Sequence, residues 1–318
     1  MKLLGFIKFI LSVFFFGVLL YGGYYVFDQY VWNIIHPEPT AEEQFVQEVG
    51  KISNIEHFQD NVNLDSKKPF AILLLGVDGD SFNDSRSDTI MVAAVDPKNS
   101  KVSLLSIPRD LRVEIPGKSG HDKINAAFAR GGVDLTAKTI EETFGIHTDY
   151  YATINFKGFQ EMVDAIGGLD IDVEKDMTFS DRITRTQFSL QKGQQTLNGI
   201  EALNYARFRK DGEGDFGRMR RQQQVIRAIV DQTITFRNIP KMVDIIQVVD
   251  KNFNSNVSFK DLGLLALKMR SLSGDNIQSI KLDAGTDMIG GVSYVTASND
   301  AIQKAAQQVF DVLDQVDN

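Results

Sequence analysis

Three short apolar runs follow one another early in the chain, and this succession constrains the fold more than any other stretch. They read FAILLLGVD (Phe70–Asp78), RSDTIMVAAVD (Arg86–Asp96) and KVSLLSIPRD (Lys101–Asp110). Each run is rich in leucine or β-branched residues and is bounded by loops of Gly, Asp, Ser and Asn. Runs of this kind are typical of buried strands, so the stretch predicts three consecutive strands of one sheet.

Charged residues stand at the ends of these runs: Asp78, Arg86, Asp88, Arg109 and Asp110. Strand ends that border a crevice are where α/β folds place their chemistry. Acids that alternate with arginines there indicate a divalent metal and a phosphate ligand rather than an apolar ligand. The simpler interpretation is that these charges only pair with one another at the strand ends.

The N-terminal region contains an uncharged, mostly apolar run from Phe9 to Phe27. As a helix this run would span about 28 Å, close to the ~30 Å hydrocarbon core of a bilayer. Lysines precede it and Asp28 follows it, so the positive-inside rule places residues 1–8 in the cytoplasm and the later residues outside. A cleaved signal peptide is the alternative, but no Ala-x-Ala site follows, and the first alanine is Ala41. We therefore expect a single-pass transmembrane helix at residues 9–27 that anchors the chain in the cell membrane.

The rest of the chain predicts a spacer and one α/β domain. Residues 28–66 are polar, contain two prolines and are expected to hold the domain, residues 67–318, off the bilayer. Within that domain strand patterns alternate with helical ones, which is typical of an α/β fold. Asn198 and Glu201 have the spacing of a capping box, which predicts a helix start at Gly199. Helices are predicted near 123–130, 134–144, 158–166, 199–209, 216–234, 240–250, 259–272 and 298–316, further strands at 150–156, 169–173, 277–282 and 292–295, and a loop or lid at 174–195.

Composition excludes several classes of function. The chain of 318 residues contains no cysteine, so disulfides, thiolate metal sites and cysteine nucleophiles are excluded. Its formal net charge of −8 argues against non-specific nucleic-acid binding, which needs a broad basic surface. The histidines, His36, His57, His121 and His147, have no metal-ligand spacing, and the sequence has no Gly-x-Ser-x-Gly elbow, P-loop or dinucleotide fingerprint.

Six arginines crowd into a short stretch of this otherwise acidic chain: Arg207, Arg209, Arg218, Arg220, Arg221 and Arg227. Two like charges about 4 Å apart repel by roughly 4 kcal/mol at an effective dielectric near 20. Inward-facing arginines would therefore need an anion between them. The planar guanidinium suits this task because it binds phosphate oxygens bidentately.

The six arginines divide into two groups by their spacing. Arg207 and Arg209 would face the same way if the chain between them is extended, and Arg218 shares a helix face with Gln222. We expect phosphate binding from this first group. For the remaining three arginines we favour the alternative of a solvated helix face, with ion-pair partners Asp211, Glu213 and Asp215.

Two aspartates are the candidate metal ligands. Asp78 ends the first predicted strand and Asp88 begins the next, so pairing of these strands would bring the carboxylates together. Carboxylate oxygens without nearby His or Cys suit a hard cation, and Mg²⁺ commonly takes one or two carboxylates together with phosphate oxygens and water. We expect Mg²⁺, with Mn²⁺ as the alternative. Together with the arginines, this predicts a membrane-borne phosphate or pyrophosphate as the ligand.

The motifs in this order resemble those of the LytR–CpsA–Psr family. They are LLLGVD (73–78), RSDT (86–89), SIPRD (106–110), KINAAFARGG (123–132), FKGFQEMVDAIGGLDIDV (156–173), LNGIEALNYARFR (197–209) and GDFGRMRRQQQVI (214–226). The resemblance covers nearly all of residues 70–230, and several of the motifs are long and unusual.

The resemblance implies a transferase of Gram-positive bacteria. Such proteins move an anionic glycopolymer, such as teichoic acid or capsule, from a polyprenyl-pyrophosphate carrier onto peptidoglycan. The bond formed is a phosphodiester to a muramic acid hydroxyl. The family fold is a mixed central β-sheet between helical layers (α-β-α), with a hydrophobic pocket for the polyprenyl chain.

The resemblance also implies roles for individual residues. Asp78 and Asp88 match the family's Mg²⁺-associated aspartates. Its pyrophosphate-binding positions are matched by Arg86, Arg109, Arg207, Arg209, Arg218 and Gln222. By the logic of phosphoryl transfer, the arginines, Arg109 among them, neutralise charge on the phosphates while the muramyl hydroxyl attacks. Asp88 and Asp215 are both candidates for accepting the hydroxyl proton.

The lipid pocket is expected among apolar helix faces. The residues concerned are Phe128, Phe144, Phe159, Met162 and Ile166. An ordinary place in the hydrophobic core is the alternative for each of them.

Two other functions are compatible with the same motifs. A lipid-pyrophosphate hydrolase would use water as acceptor in place of a glycan. A membrane-anchored, non-catalytic regulator is the other alternative. A DNA-binding form of that regulator is disfavoured, because the sequence has no helix-turn-helix signature, is acidic and is expected to lie outside the cell.

Overall fold

The computed structural model describes residues 39–40, 43–45, 47, 68–78, 85–180, 187–235, 245, 252–269 and 271–314. The chain divides into two compact units, Met1–Gln44 and Phe45–Asn318, and the fold described below belongs to the second. The expected membrane helix at 9–27, the segment 1–8 and most of the segments 28–66 and 240–250 lie outside the described residues. Among the helices that are described, none has both the length and the apolar character needed to cross a bilayer.

A six-stranded mixed sheet forms the centre of the domain, in the order β11-β6-β1-β2-β3-β12. The strands are β1 Phe70–Val77, β2 Ser87–Asp96, β3 Lys101–Ser106, β4 Arg112–Glu114, β5 His121–Lys123, β6 Tyr150–Asn155, β7 Leu169–Val173, β8 Met177–Ser180, β9 Gln187–Leu190, β10 Gly193–Leu197, β11 Phe253–Ser255, β12 Ile277–Ile280, β13 Gly285–Ile289 and β14 Val292–Thr296. Strands β1, β2 and β3 pair antiparallel in succession, whereas β6 joins β1 and β12 joins β3 in parallel. The three strands predicted from the opening stretch are confirmed.

Helices cover both faces of this sheet. They are α1 Asn125–Phe144, α2 Phe156–Ala165, α3 Gly199–Arg207, α4 Gly214–Thr235, α5 Phe259–Lys268 and α6 Asn299–Leu313. Side chains alternate along a strand, so Leu73 and Val92 pack on one face in a core with α1 and α6. Ile72 and Met91 pack on the other face, in a core to which α4 and α5 contribute. The expected α-β-α arrangement with a mixed sheet is therefore present.

A smaller core beside the sheet holds α2, α3 and α4 together. Its buried members include Val163 of α2, Tyr205 of α3 and Val225 of α4, together with the hairpin of β7 and β10. The predicted capping box starts α3: Asn198 Oδ1 accepts from the Glu201 backbone N–H at 3.0 Å, and Glu201 Oε2 accepts from that of Asn198 at 2.9 Å. These two bonds satisfy donors that the first helical turn leaves unpaired.

Two predicted segments have a different structure in detail. The helices predicted at 123–130 and 134–144 form one element, α1, which is kinked where Gly131 and Gly132 leave the helical conformation. The predicted loop or lid at 174–195 is wrong, because β8, β9 and the start of β10 lie there. The alternation of apolar and polar residues in MTFS (β8) and QFSL (β9) was an available signal for strands, and Met177 and Leu190 are buried.

Part of the segment predicted as a spacer packs on the domain. Phe45 is fully buried, and its ring lies so close to Gly263 of α5 that a Cβ there would meet it at 2.0 Å. The residues around Phe45 that are described, Glu43, Gln44 and Gln47, are helical. The domain therefore includes residues before position 67.

Candidate active site

One cavity of about 480 Å³ lies between the sheet and the helices α2, α3 and α4. Its apolar walls include Leu74 and Met91 from the sheet, Phe159 and Met162 from α2, and Ile226 from α4. Charged and polar side chains line the same cavity: Asp88, Arg207, Arg209, Lys210, Arg218 and Gln222. The cavity thus combines a wall suited to a hydrocarbon chain with a group of cations.

A β-bulge directs Asp88 into the cavity. Gly76 pairs with Thr89 and Val77 pairs with Ser87, so Asp88 is an extra residue in β2. Successive residues of a regular strand face opposite sides, yet both Asp88 and Thr89 line the cavity. Bulges redirect side chains in this way and occur frequently beside active sites.

Arg109 binds Asp88 directly, through Nη1 and the carboxylate oxygen Oδ1. The backbone of Arg109 is also fixed, because its carbonyl accepts from the Asn125 N–H at 3.1 Å. Burial favours the neutral form of this arginine, but Asp88 outweighs that effect, so the pKa of Arg109 lies above its ordinary value. Asp110 is held in turn by Lys123 Nζ at 3.1 Å.

Asp215 lies between two arginines at the start of α4. Arg209 Nη1 is 3.0 Å and Arg218 Nη2 is 3.5 Å from its Oδ1 atom. Burial alone would raise the pKa of Asp215, but Arg218 and then Arg209 outweigh burial and hold it below the ordinary value. Burial lowers the pKa of Arg218 to about 10, against the opposing effect of Asp215. Asp215 and Arg218 are therefore both charged at neutral pH.

Two arginines of the site have an Nε donor that forms no hydrogen bond within the described part of the chain, as do Arg221 and Arg227 outside the cavity. Among the buried side-chain atoms that are described, Nε of Arg109 and Nε of Arg218 form no hydrogen bond. The side chain of Arg218 is only 4% exposed. A buried donor without an acceptor is costly, and a bound anion would supply the missing acceptor.

The extended conformation predicted between Arg207 and Arg209 is present. Phe208 ends α3 with φ −62° and ψ 132°, and both arginines line the cavity. The guanidinium of Arg207 lies 4.5 Å from the ring centroid of Phe156, a distance suited to a cation–π contact. Gln222, one turn after Arg218, is 8% exposed and also lines the cavity.

Asp78 and Arg86 lie together at the neighbouring strand ends. The Arg86 N–H donates to Asp78 Oδ1 at 3.0 Å, and the Asp78 N–H donates to the Arg86 carbonyl at 3.3 Å. Both residues are exposed, and neither lines the cavity that contains Asp88. The described residues contain no group of three or more acidic or histidine side chains able to hold a metal ion. Two carboxylates nevertheless fit Mg²⁺ when phosphate oxygens and water complete its shell.

Comparison with known proteins gives the family of the chain. The model of the LytR_cpsA_psr family matches residues 39–311, which is most of the sequence. This chain belongs to the LytR–CpsA–Psr family. The resemblance of the sequence motifs is therefore confirmed.

Curated relatives and solved structures agree with this membership. TagU of Enterococcus faecalis, a polyisoprenyl-teichoic acid–peptidoglycan teichoic acid transferase, is 36% identical over 252 residues, covering 78% of this chain and 81% of TagU. Regulatory protein MsrR of Staphylococcus aureus (strain COL) is 39% identical over 226 residues, covering 70% of this chain and 66% of MsrR, slightly under two thirds. The structure of TagT bound to LIIa-WTA has a TM-score of 0.66 and 33% identity, covering 80% of this chain and 97% of the TagT chain.

In this LytR–CpsA–Psr protein the remaining arginines of the cluster have protein partners. Arg220 binds Glu213 at 2.6 Å, as expected. Arg227 instead donates to the Ile277 carbonyl and to Ser279 Oγ. Arg221 binds the expected partner Asp211, but it is fully buried, so its expected place on a solvated face is wrong. Burial of Arg221 depends on the loop that folds over it, which helical periodicity cannot reveal.

Only part of the expected lipid pocket lines the cavity. Phe159 and Met162 do line it. Phe128 and Phe144 belong to α1 and are buried in the core on the opposite face of the sheet, to which α6 also contributes. Ile166 is buried in the core that joins α2 to α4. Sequence reasoning missed the sheet's contribution, of which Leu74, Met91 and Ala152 are examples. The alternation of the strands was the available signal, because the residues between those that face α1 must face the cavity side.

Proposed function

We propose that this chain transfers an anionic wall glycopolymer, a teichoic acid or a related polymer, from a polyprenyl-pyrophosphate carrier to peptidoglycan. Family membership and 36% identity to the teichoic acid transferase TagU support this proposal. So does the similarity to TagT, whose structure contains LIIa-WTA. The carrying observation is a single cavity lined by both hydrocarbon-compatible walls and clustered arginines, of which Arg218 has a buried Nε without a hydrogen bond to any described residue.

The donor would bind with its two chemical parts in the two parts of the cavity. The polyprenyl chain would contact apolar side chains such as Leu74, Phe159 and Ile226. The pyrophosphate would bind the clustered cations: Arg109, Arg207, Arg209 and Arg218, with Gln222 as a neutral donor. Their charge is already concentrated in a partly buried place, where ionic hydrogen bonds are stronger than in water.

The transfer step forms one phosphorus–oxygen bond and breaks another. A peptidoglycan hydroxyl attacks the phosphorus attached to the polymer, the bond to the bridging oxygen breaks, and polyprenyl phosphate leaves. Arg109 and Arg218 stabilise the charge that develops on the phosphates. The hydroxyl proton goes to a carboxylate, for which Asp88 and Asp215 are the candidates; the arginine partners of Asp215 lower its pKa and so weaken it as a base.

Mg²⁺, with Mn²⁺ as the alternative, is part of the proposal. Asp78 and Asp88 are the residues that would hold it, because they are the carboxylates at the paired ends of β1 and β2. A bound divalent cation would supply additional charge neutralisation to the phosphates.

The proposal places the site at the outer surface of the cell membrane. The apolar run Phe9–Phe27 would anchor the chain, and the domain would face the cell wall. Both the lipid-linked donor and the peptidoglycan acceptor are accessible from that side.

Replacing Arg109, the partner of Asp88, tests the proposal. Full-length protein in detergent is incubated with a polyprenyl-pyrophosphate-linked polymer, peptidoglycan fragments and Mg²⁺, and products are analysed by mass spectrometry. We expect a phosphodiester adduct from the wild type and a loss of at least about 100-fold in Arg109→Ala, because transition-state contacts of this kind contribute 2.7–4 kcal/mol or roughly 10²–10³ in rate. Arg130→Ala is the matched control, since Arg130 pairs with Asp122, which does not line the cavity, whereas Arg109 pairs with Asp88, which does.

Other products would favour other functions. Free polymer phosphate without any adduct would indicate the hydrolase. A second candidate is a non-catalytic regulator, which the name of the relative MsrR favours. Donor binding without turnover, in the presence of metal and acceptor, would support that candidate and contradict the transferase.

A further inference from the structure

Arg221 is a fully buried arginine that does not line the cavity. It lies on α4 one turn after Arg218. Burying a guanidinium removes it from water, and this costs free energy unless its donors and charge are paired. Nη1 and Nη2 of Arg221 have partners, whereas its Nε forms no hydrogen bond among the described residues. The partners of Arg221 therefore show what it holds in place.

Three bonds connect Arg221 to the segment between α3 and α4 and to the end of β7. Nη1 donates to Asp211 Oδ2 at 2.8 Å and to Glu174 Oε1 at 2.6 Å. Nη2 donates to the backbone carbonyl of Phe208 at 2.7 Å. The guanidinium also lies 5.3 Å from the ring centroid of Phe208. One side chain thus fixes both ends of the segment 208–211.

The segment that Arg221 holds carries cavity residues. Arg209 and Lys210 lie between the two anchored positions, and Arg207 directly precedes Phe208; all three line the cavity. The extended backbone at Phe208 is what lets Arg207 and Arg209 face the same way. A change at Phe208 or Asp211 would therefore move both arginines relative to Arg218.

The surroundings of Arg221 are shaped for its side chain. A Cβ added at Gly217 would lie 3.1 Å from Arg221 Nη2, so the guanidinium passes closely over this glycine. The carboxylate of Asp211 stays ionised down to acid pH. Burial raises its pKa, but the hydrogen bonds from Arg221 and Lys175 outweigh burial and lower the pKa to about 2. Lys175 Nζ supports the same carboxylate at 3.1 Å.

We propose that Arg221 is a positioning residue, which holds the segment 208–211 so that Arg207 and Arg209 meet the pyrophosphate of the donor. This deepens the proposed function and rests on it. Arg221 touches no substrate atom. Its effect passes through the two cavity arginines, so its loss weakens recognition of the pyrophosphate and leaves recognition of the hydrocarbon chain unchanged.

Two probes separate these parts of recognition: geranylgeranyl pyrophosphate and geranylgeraniol, which lacks the pyrophosphate. Their dissociation constants are measured by calorimetry on the full-length protein in detergent. For Arg221→Met we expect at least tenfold weaker binding of the pyrophosphate and a change under twofold for the alcohol. Arg220→Met is the matched control, because Arg220 is the neighbouring arginine and binds Glu174 and Glu213 but not the segment 208–211. We expect it to change neither constant by more than twofold.

A second pair of variants tests whether Arg221 acts through Arg209. In an Arg209→Ala background, Arg221→Met should weaken pyrophosphate binding much less than it does in the wild type. If the two substitutions weaken pyrophosphate binding independently, so that their fold-changes multiply, the proposal would be overturned. Equal losses for both probes would also overturn it, because they would indicate a purely structural role.

Milder variants keep the test decisive if Arg221→Met does not fold. Arg221→Lys keeps the charge but lacks the planar fork, and Asp211→Asn removes the charge of one acceptor. Both should selectively weaken pyrophosphate binding, and wild-type binding by both would overturn the proposal. A wild-type protein that binds the two probes equally would contradict the pyrophosphate site itself, and with it the proposed function. If the wild type and every variant bind the pyrophosphate in preference to the alcohol equally well, only the role of Arg221 would be contradicted.

Discussion

Single residues of the site are held by partners before any ligand binds. Asp88 reaches the cavity through a bulge and binds Arg109, while Asp215 binds Arg209 and Arg218. These pairs keep cations near one another at a distance that would otherwise be repulsive. An incoming phosphate would therefore meet a preformed arrangement, with little reordering of side chains.

The residue types of the site could be predicted from sequence, but their orientation could not. Acids and arginines at strand ends predicted a phosphate ligand, which stays a prediction, and the extended chain that would let Arg207 and Arg209 face the same way is present. The bulge at Asp88 depends on how β2 pairs with β1, so alternation within one strand cannot reveal it. The burial of Arg221 likewise depends on a loop packed over its helix.

Binding of a pyrophosphate should depend on the charge of Arg218 at alkaline pH. Burial lowers the pKa of Arg218 to about 10, from an ordinary value of 12.5. The side chain is therefore charged at neutral pH, and it loses its proton earlier than an exposed arginine as pH rises. We expect the affinity for geranylgeranyl pyrophosphate to be constant from about pH 7 to 9 and to fall near pH 10.

Calorimetry over this pH range provides the measurement. Geranylgeraniol is the control ligand, since its binding should not follow the charge of Arg218. In Arg218→Ala the alkaline decrease should be absent. An affinity that stays level to about pH 11 in the wild type would contradict the prediction.

At the scale of elements, the position of α3 decides where the arginine-bearing segment begins. Its capping box fixes the first turn, and Asp164 Oδ1 of α2 accepts from the Gly199 N–H at 2.7 Å. This junction was predictable in part, because the spacing of Asn198 and Glu201 is a local signal. The strands β8 and β9 carried a weaker local signal because each is only four residues long, although Met177 and Leu190 are buried in the core that joins α2 to α4.

Replacing Gly199 should destabilise the contact between α2 and α3. A Cβ at this position would lie 2.3 Å from the backbone carbonyl oxygen of Gln160, which cannot rotate away. We expect Gly199→Ala to lower the free energy of unfolding by about 1–3 kcal/mol, the usual cost of forced overpacking. Urea unfolding gives this quantity.

The control for this prediction is Gly212→Ala. A Cβ at Gly212 would have no atom within 4 Å, so its stability should change by less than about 0.5 kcal/mol, as for most surface substitutions. Equal stabilities of the two variants would show that the helices can separate freely and would contradict the prediction.

For the whole molecule, the ion-pair network around Arg221 links stability to pH. The folded-state pKa of Asp211 is about 2, below its ordinary value of 3.8. A lowered pKa means that ionised Asp211 stabilises the fold at all pH values above about 4, and that this contribution is lost as pH falls through about 2. Acid should therefore weaken the connection between β7, the segment 208–211 and α4.

Asp211→Asn tests this acid dependence. We expect the variant to have a lower Tm than the wild type at neutral pH and the two values to converge as the pH approaches 2. Asp300→Asn is the control, because Asp300 is 74% exposed and forms its ion pair with the equally exposed Lys304. A Tm difference between wild type and Asp211→Asn that stays constant from neutral pH to about pH 2 would contradict the prediction.

The cavity that serves both halves of the donor has a consequence for turnover. Polyprenyl phosphate, the leaving group of the proposed reaction, keeps the whole hydrocarbon chain and therefore all contacts with the apolar walls around Phe159 and Ile226. It loses only part of its attraction to the arginines. The released polyprenyl phosphate would then compete with the next donor for the same cavity, so we expect product inhibition. How fast the bilayer takes the carrier back, rather than how fast the bond forms, would limit the rate.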